Sequence, residues 1–293
     1  MTLGVATQRT VVDDLGTSVT LPRHPQRIVS LVPSLSEVLW WWYLADRIVG
    51  VTEYCIAPPR AFEAAQRLRG TKNADVSAII DLEPDLVVAN EEENREVDVH
   101  RLRDAGIAVY VTKVRTLQDA ATSLSRLGEA VGVGGAGEGL AATLRRASDR
   151  AGQRGPRLRV VCPIWRDGAG KGEDETWWVI GRDTYAADLL AVAGFDVVPA
   201  PAHQETGEEG ESRYPRFALR ELADAEPEVI LLPDEPYAFT RQDAAEFRDW
   251  PAAVRHLDGT ALVWWGPRTP DAIGDLDRLR RSIARRAERR RRR

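Results

Sequence analysis

The chain carries a near-repeat of itself. Asp75–Asn90 reads DVSAIIDLEPDLVVAN and Leu219–Pro233 reads LRELADAEPEVILLP. Placing Pro84 on Pro227 pairs Val76 with Leu219, Ile79 with Leu222, Asp85 with Glu228, and the apolar run Leu86–Ala89 with Val229–Leu232. Each copy reads as a short amphipathic helix, a proline break and a buried strand, the start of an α/β unit. Two such units imply two similar lobes, and a groove between lobes is a common place for a ligand.

The 293 residues are enough for two domains of ordinary size. Charge is unevenly spread. Residues 278–293 hold ten of the 40 basic residues and one of the 45 acidic ones, so the rest of the chain has 30 basic against 44 acidic. An acidic body argues against nucleic acid as the main partner, and the arginine tail reads as the solvated end of a last helix. No stretch reaches the roughly 18–20 apolar residues of a membrane span. The first twenty residues lack the apolar centre of a signal peptide, which leads to an expected cytoplasmic address. Cys55 and Cys162 fall in different putative lobes, so no disulfide framework is expected.

Strand and helix patterns alternate along the chain. Residues 10–21 form a hairpin signal around Asp14–Gly16, and Arg27–Val32 is a strand. Ser34 with Glu37 has a capping-box pattern. Strands at 48–52, 107–112, 158–164, 178–180, 195–198, 229–232 and 262–264, with helices at 95–105 and 183–193, complete the rhythm. Helices at 117–131 and 138–153, joined by the flexible sequence GVGGAG, interrupt it. The expected architecture is α/β, two Rossmann-like lobes with mostly parallel sheets joined by one long helix. The expected division is 1–136, an interlobe helix at 137–153, and 154–293.

In open α/β sheets, ligands sit beyond the carboxyl ends of the strands. That rule selects Pro33–Ser34, Thr52–Cys55, Asn90–Asn94, Trp165–Arg166 and Asp234–Tyr237. Within and near these stretches the candidate ligand contacts are Ser34, Asn90, Glu92, Glu93, Asn94, Trp165, Arg166, Trp178, Asp234, Glu235 and Trp265. Lys72, Arg166 and Arg182 add opposing charge. Trp40–Tyr43 spreads four aromatic side chains around a helix, so it reads as core or partner patch. The acidic stretch 203–213 reads as a loop over the ligand face. No histidine pair has zinc-ligand spacing, and VGVGGAG follows a helix, which excludes a nucleotide fingerprint.

Taken in order, RIVSLVPSLSEVL, ADRIVGVTEY, IIDLEPDLVVAN, LRDAGIAVYVT and GRDTYAADLLAVAGF resemble the helical-backbone metal receptors. These are the vitamin B12- and ferric-siderophore-binding proteins that feed ABC importers. The resemblance implies a ligand held between the lobes, with Tyr54 and Tyr214 as aromatic contacts to a corrin ring. It also implies a permease-docking Glu on each lobe, but Ser77 and Arg220 stand at those positions, with Glu221 beside the second. Carboxylates at the strand ends suit the side-chain amides of a corrinoid better than an anionic ferric siderophore. The leading expectation is therefore a non-enzymatic, monomeric binder of a metal chelate, a corrinoid first and a ferric-siderophore or haem-type ligand second, with no covalently bound cofactor. The rival class is an enzyme acting on a chelate or sugar nucleotide, with Glu91–Glu93 or Asp234 as acid–base groups.

Overall fold

The proline of the repeat explains its shape. In the computed structural model, which describes residues 8–151, 155–167, 175–199 and 213–291, Glu83 and Glu226 precede Pro84 and Pro227 with φ of 46° and 45°. A residue before proline is disfavoured in the helical region, and a left-handed residue ends the helix. Arg27 then donates to the Leu82 and Glu83 carbonyls, and Arg159 Nε donates to the Glu226 carbonyl at 2.8 Å. Asp85 takes the Arg27 N–H at 2.9 Å and Glu228 takes the Arg159 N–H at 3.0 Å. The two halves repeat a clamp as well as a pattern.

The chain forms two compact units, residues 1–114 with 118–143, and residues 115–117 with 144–293. In the first, β1 (Gln8–Val12) and β2 (Ser18–Pro22) make the expected hairpin, its turn held by Asp13 Oδ1 accepting from Leu15 and Thr17. The elements that follow are β3 (Ile28–Ser30), α1 (Pro33–Trp41), β4 (Ile48–Val51), β5 (Gln66–Arg67), α2 (Val76–Asp81), β6 (Leu86–Asn90), α3 (Glu96–Asp104) and β7 (Val109–Thr112). The five strands from β3 to β7 are all parallel, in the order β5-β4-β3-β6-β7. Val29, Leu31, Leu68, Ile79, Val87, Ala89 and Val111 fill one buried cluster.

Helices α4 (Leu117–Ala130) and α5 (Gly134–Arg150) follow, and the division between the units falls within α5. Gly137, the last glycine of the expected flexible joint, instead makes a close crossing with Gly128. A Cβ on Gly128 would lie 2.7 Å from the Gly137 Cα, and one on Gly137 would lie 2.7 Å from the Leu124 carbonyl oxygen. No larger residue allows that approach.

The second unit contains β8 (Leu158–Val161), β9 (Pro163–Arg166), β10 (Thr176–Val179), α6 (Tyr185–Val192), β11 (Phe195–Val197), β12 (Arg216–Ala218), α7 (Leu219–Asp224), β13 (Val229–Pro233), β14 (Ala253–Leu257), α8 (Gly259–Val263) and α9 (Thr269–Arg291). Its main sheet is parallel in the order β11-β8-β13-β14, and β12-β10-β9 form a separate antiparallel sheet. Trp177 is buried, stacked on Phe239 at 5.7 Å and edge-on to Phe247 at 5.2 Å.

Three local expectations are corrected. Pro33, not Ser34, starts α1, since a proline lacks the N–H that the first helical position leaves unused. Residues 262–264 are not strand. Asp258 accepts from the Thr260 and Ala261 N–H groups and turns the segment into α8, so β14 is the last strand. Within the arginine tail, Arg280 is buried, donating to the Ala193 carbonyl at 2.9 Å and the Pro156 carbonyl at 2.7 Å, and pairing with Asp277. It caps the carboxyl end of α6, and Gly194, at φ 90°, makes room for it.

The end of α1 is made at a cost. Leu44 N–H reaches the Leu39 carbonyl at 3.0 Å and Tyr43 N–H reaches the Trp40 carbonyl at 2.9 Å, a Schellman closure. Glycine is the usual residue at the left-handed position, but here Tyr43 holds it at φ 60° with its side chain 95% exposed. With no packing to lose, Tyr43→Gly is expected to raise stability by about 1 kcal/mol in denaturant unfolding. A loss of stability would mean that the ring packs on the protein.

Candidate functional site

In both parallel sheets the first strand has neighbours added on either side, so each has a topological switch point, between β3 and β6 in the first unit and between β8 and β13 in the second. The crevice at the carboxyl ends beside such a point is the default ligand position. The loops there are Leu31–Pro33 and Glu91–Asn94 in one unit, and the β9 segment and Asp234–Tyr237 in the other. These are four of the five stretches that the strand-end rule selects.

In the first unit the amides are spent on building the face. Asn90 Oδ1 accepts from the Glu92 and Glu93 N–H groups at 2.9 and 3.2 Å, and its Nδ2 donates to Thr112 Oγ1 at 3.1 Å. Asn94 Oδ1 takes the Asn90 N–H, while its Nδ2 donates to the Leu31 carbonyl at 3.3 Å and the Thr71 carbonyl at 3.0 Å. Both are buried, so they shape the loop and tie it across the switch point instead of presenting amides to a ligand. Lys72 Nζ donates to the Glu92 carbonyl. Glu92 and Glu93 are half-buried. Ser34 is buried inside α1.

The Thr52–Ile56 loop stands beside this face. Arg67 Nη1 donates to the carbonyls of Thr52 and Cys55, each at 3.1 Å. The Cys55 thiol is buried, with Ser36 Oγ 3.0 Å and Thr52 Oγ1 3.2 Å from its sulfur, and burial pushes it above the ordinary thiol range. Tyr54 is 61% exposed, its ring close over Gly70, where a Cβ would meet Cε2 at 3.1 Å. It is the aromatic surface that this rim offers.

In the second unit the rim is aromatic and acidic. Trp165, 48% exposed, meets Tyr237 edge-on at 5.4 Å, and Tyr237 packs on Phe239 at 4.6 Å. The pair bridges the switch point. Trp178 is half-buried with the Arg216 guanidinium 5.7 Å over its ring. Asp234 is exposed and takes the Gly259 N–H at 2.7 Å. Burial, with repulsion from Asp234 and Asp258, holds the half-buried Glu235 carboxyl above the usual carboxylate range, against a Trp264 hydrogen bond and Arg268. Glu235 therefore takes up a proton more readily than an ordinary glutamate.

Two sequence candidates are displaced from the face. Trp265 is buried after α8, because the strand expected to present it is a helix. Arg166 is half-buried in an ion triad: Nε donates to Glu175 and Nη1 to Asp243, both at 2.7 Å, with the guanidinium 4.6 Å over Trp177. It is a structural cation. Arg182 is exposed before α6, and Tyr214 is half-buried before β12. Residues 203–212 of the expected acidic loop lie outside the described residues. Tyr237 was missed as a single residue, and its position just after a strand-end acidic pair was the signal.

The sequence profile of the family described as periplasmic binding protein matches residues 28–254. An uncharacterised ABC transporter substrate-binding lipoprotein of Bacillus subtilis is 32% identical over 284 residues, 91% of this chain and 83% of that protein. A vitamin B12-binding protein of Vibrio cholerae is 31% identical over 106 residues, so the match spans 36% of this chain and 38% of that one. Among solved structures, a periplasmic haem-binding protein from Roseiflexus superposes with a TM-score of 0.71 at 22% identity, covering 88% of this chain and 99% of the other. These findings overturn the cytoplasmic expectation, since the matching family is periplasmic and the Bacillus relative is a lipoprotein. That expectation rested on the first twenty residues alone, whereas the relatives are matched through the folded domain.

Proposed function

Because the chain belongs to the periplasmic binding protein family, we propose that it is the extracytoplasmic substrate-binding component of an ABC importer, with a corrinoid as its ligand. The Bacillus and Vibrio relatives support the importer and the corrinoid respectively. The observation that carries the ligand class is the commitment of Arg67, Lys72 and Arg166 at the strand ends, with Arg182 the one candidate cation outside that set. Arg166 is held by two carboxylates, Arg67 by two carbonyls and Lys72 by the Glu92 carbonyl, while Tyr54, Trp165 and Asp234 face solvent. Such a surface offers flat apolar contact and hydrogen-bond acceptors. It suits a macrocycle fringed with amides and disfavours one fringed with carboxylates or catecholates.

Binding without turnover is the proposed activity. Ser77 and Arg220 are exposed on α2 and α7, and Glu221 Oε2 caps its own helix by accepting the Ala218 N–H at 2.7 Å. Permease docking then uses groups other than a glutamate at those two positions.

Calorimetric titration with cyanocobalamin, cobinamide, haemin and a ferric catecholate tests the reading. Saturable binding of the two corrinoids, at least tenfold tighter than of the two anionic chelates, is expected. Tighter binding of haemin or the catecholate would replace the corrinoid, and conversion of any of them would overturn the assignment of a binder.

A further inference from the structure

We propose that the aromatic notch at the far end of α1 is a binding site for an organic cation of the quaternary ammonium class. Helix α1 leaves the carboxyl end of β3 and ends near the start of β4, so the notch lies at the opposite edge of the first unit from the candidate ligand face. Trp40, Trp41, Tyr43, Ala45 and Asp46 line a hollow of about 440 Å³. That volume lies within the range of small-molecule sites.

The side chains are arranged as walls. Trp40 and Trp41 are 38% and 52% exposed, with ring centroids 6.5 Å apart and planes inclined at 58°, so the indoles form an open V instead of covering each other. Trp42, the third member of the run, is the one buried in the core. Tyr43 stands at the rim in a left-handed conformation that glycine would occupy without strain. Helix stability therefore does not account for a tyrosine there, and packing does not either.

The chemistry selects the ligand. Indole and phenol faces are electron-rich, and Asp46 adds a carboxylate to the same hollow. Arg47, next along the chain, turns its guanidinium to the Pro25 carbonyl at 3.4 Å and leaves the notch without its charge. A cation that is large and weakly hydrated gains from the rings while losing little water. A trimethylammonium group meets both conditions; a free solute or a lipid headgroup can supply it.

The test uses the full chain with choline, tetramethylammonium and 3,3-dimethylbutan-1-ol, the neutral isostere of choline, followed by saturation-transfer NMR and calorimetry. Choline and tetramethylammonium are expected to bind, with the isostere about tenfold weaker or worse. Asp46→Asn and Trp41→Ala should each weaken choline by about tenfold while leaving thermal unfolding and corrinoid titration unchanged. Equal binding of choline and its isostere, no binding of either cation at tens of millimolar, or indifference to both variants would overturn the proposal. Co-sedimentation with phosphatidylcholine vesicles but not phosphatidylglycerol vesicles, lost in Trp41→Ala, assigns the cation to a lipid; binding of free choline alone assigns it to a solute. Equal attachment to both vesicle types would show a plain apolar membrane contact and refute a cation site.

Discussion

Arg166→Ala is expected to lower stability by about 3–5 kcal/mol, the largest loss of any single substitution considered for this protein. The arginine, its side chain 13% exposed, is the shared partner of the buried Glu175 and Asp243 and lies over the Trp177 ring. Removing it leaves two carboxylates facing each other in a site with little water, and each must either stay charged without a partner or take up a proton. The acid limb reports the second route. In the native protein burial opposes the charge of Asp243, but the Thr240 N–H and hydroxyl and Arg166 outweigh it and lower its pKa below 3.8. A lowered folded pKa gives stability that is present above the unfolded value and lost as pH falls through the folded one. Without Arg166 part of that lowering disappears, so acid unfolding should begin at higher pH in the variant. Urea unfolding at neutral pH and an acid titration measure the two effects. Arg166→Met with Glu175→Leu and Asp243→Asn should recover much of the loss, because neutral groups then replace all three charges. A loss below about 1 kcal/mol would show that the triad is wet and weak.

The triad also shows why the candidate site was only partly legible. Arg166 read as a free cation because its partners lie 9 and 77 residues away in sequence. Sequence position revealed where it stands, at the end of a strand, but not what neutralises it. Asn90 and Asn94 are ambiguous for the opposite reason. An asparagine just after a strand is as well suited to closing its own loop as to meeting a ligand, and these two bond within four residues of themselves. Tyr54 and Trp165 differ from the asparagines in that their rings stay exposed at the strand ends and close no loop by hydrogen bonds.

Fold legibility divides along the same line. The repeat, with its helix, proline and buried strand, is set by short-range periodicity and by the conformation that a proline imposes on its predecessor, so both copies were readable. Strand β14 was not. Its residues Ala253–Leu257 include Arg255 and His256, so no buried run marks it, and pairing with β13 over all five positions makes it a strand. Leu262–Trp264 looked more strand-like, yet one capping aspartate made that segment helical. The antiparallel sheet of β12, β10 and β9 depends on a pairing between Trp177 and Phe217 that no local pattern announces.

Trp165→Ala and Tyr54→Ala should each weaken corrinoid binding by about tenfold to a hundredfold. Both rings are largely exposed, so unfolding midpoints should stay near the parent's, and that separates lost contact from lost fold. Asn94→Ala provides the contrast, because its amide joins the Leu31 and Thr71 carbonyls and its loss should lower stability and affinity together. Glu235 adds a pH signature. If its carboxylate accepts a ligand amide, affinity falls as the group takes up a proton, and burial moves that fall to higher pH than for an exposed glutamate. Glu235→Gln should flatten the profile while keeping the rings in place. An affinity unchanged in both Tyr54→Ala and Trp165→Ala would remove the aromatic rim from the binding surface, whatever the titration of Glu235 showed, because the flat face of a macrocycle has to rest on something and these two side chains are what the strand ends expose.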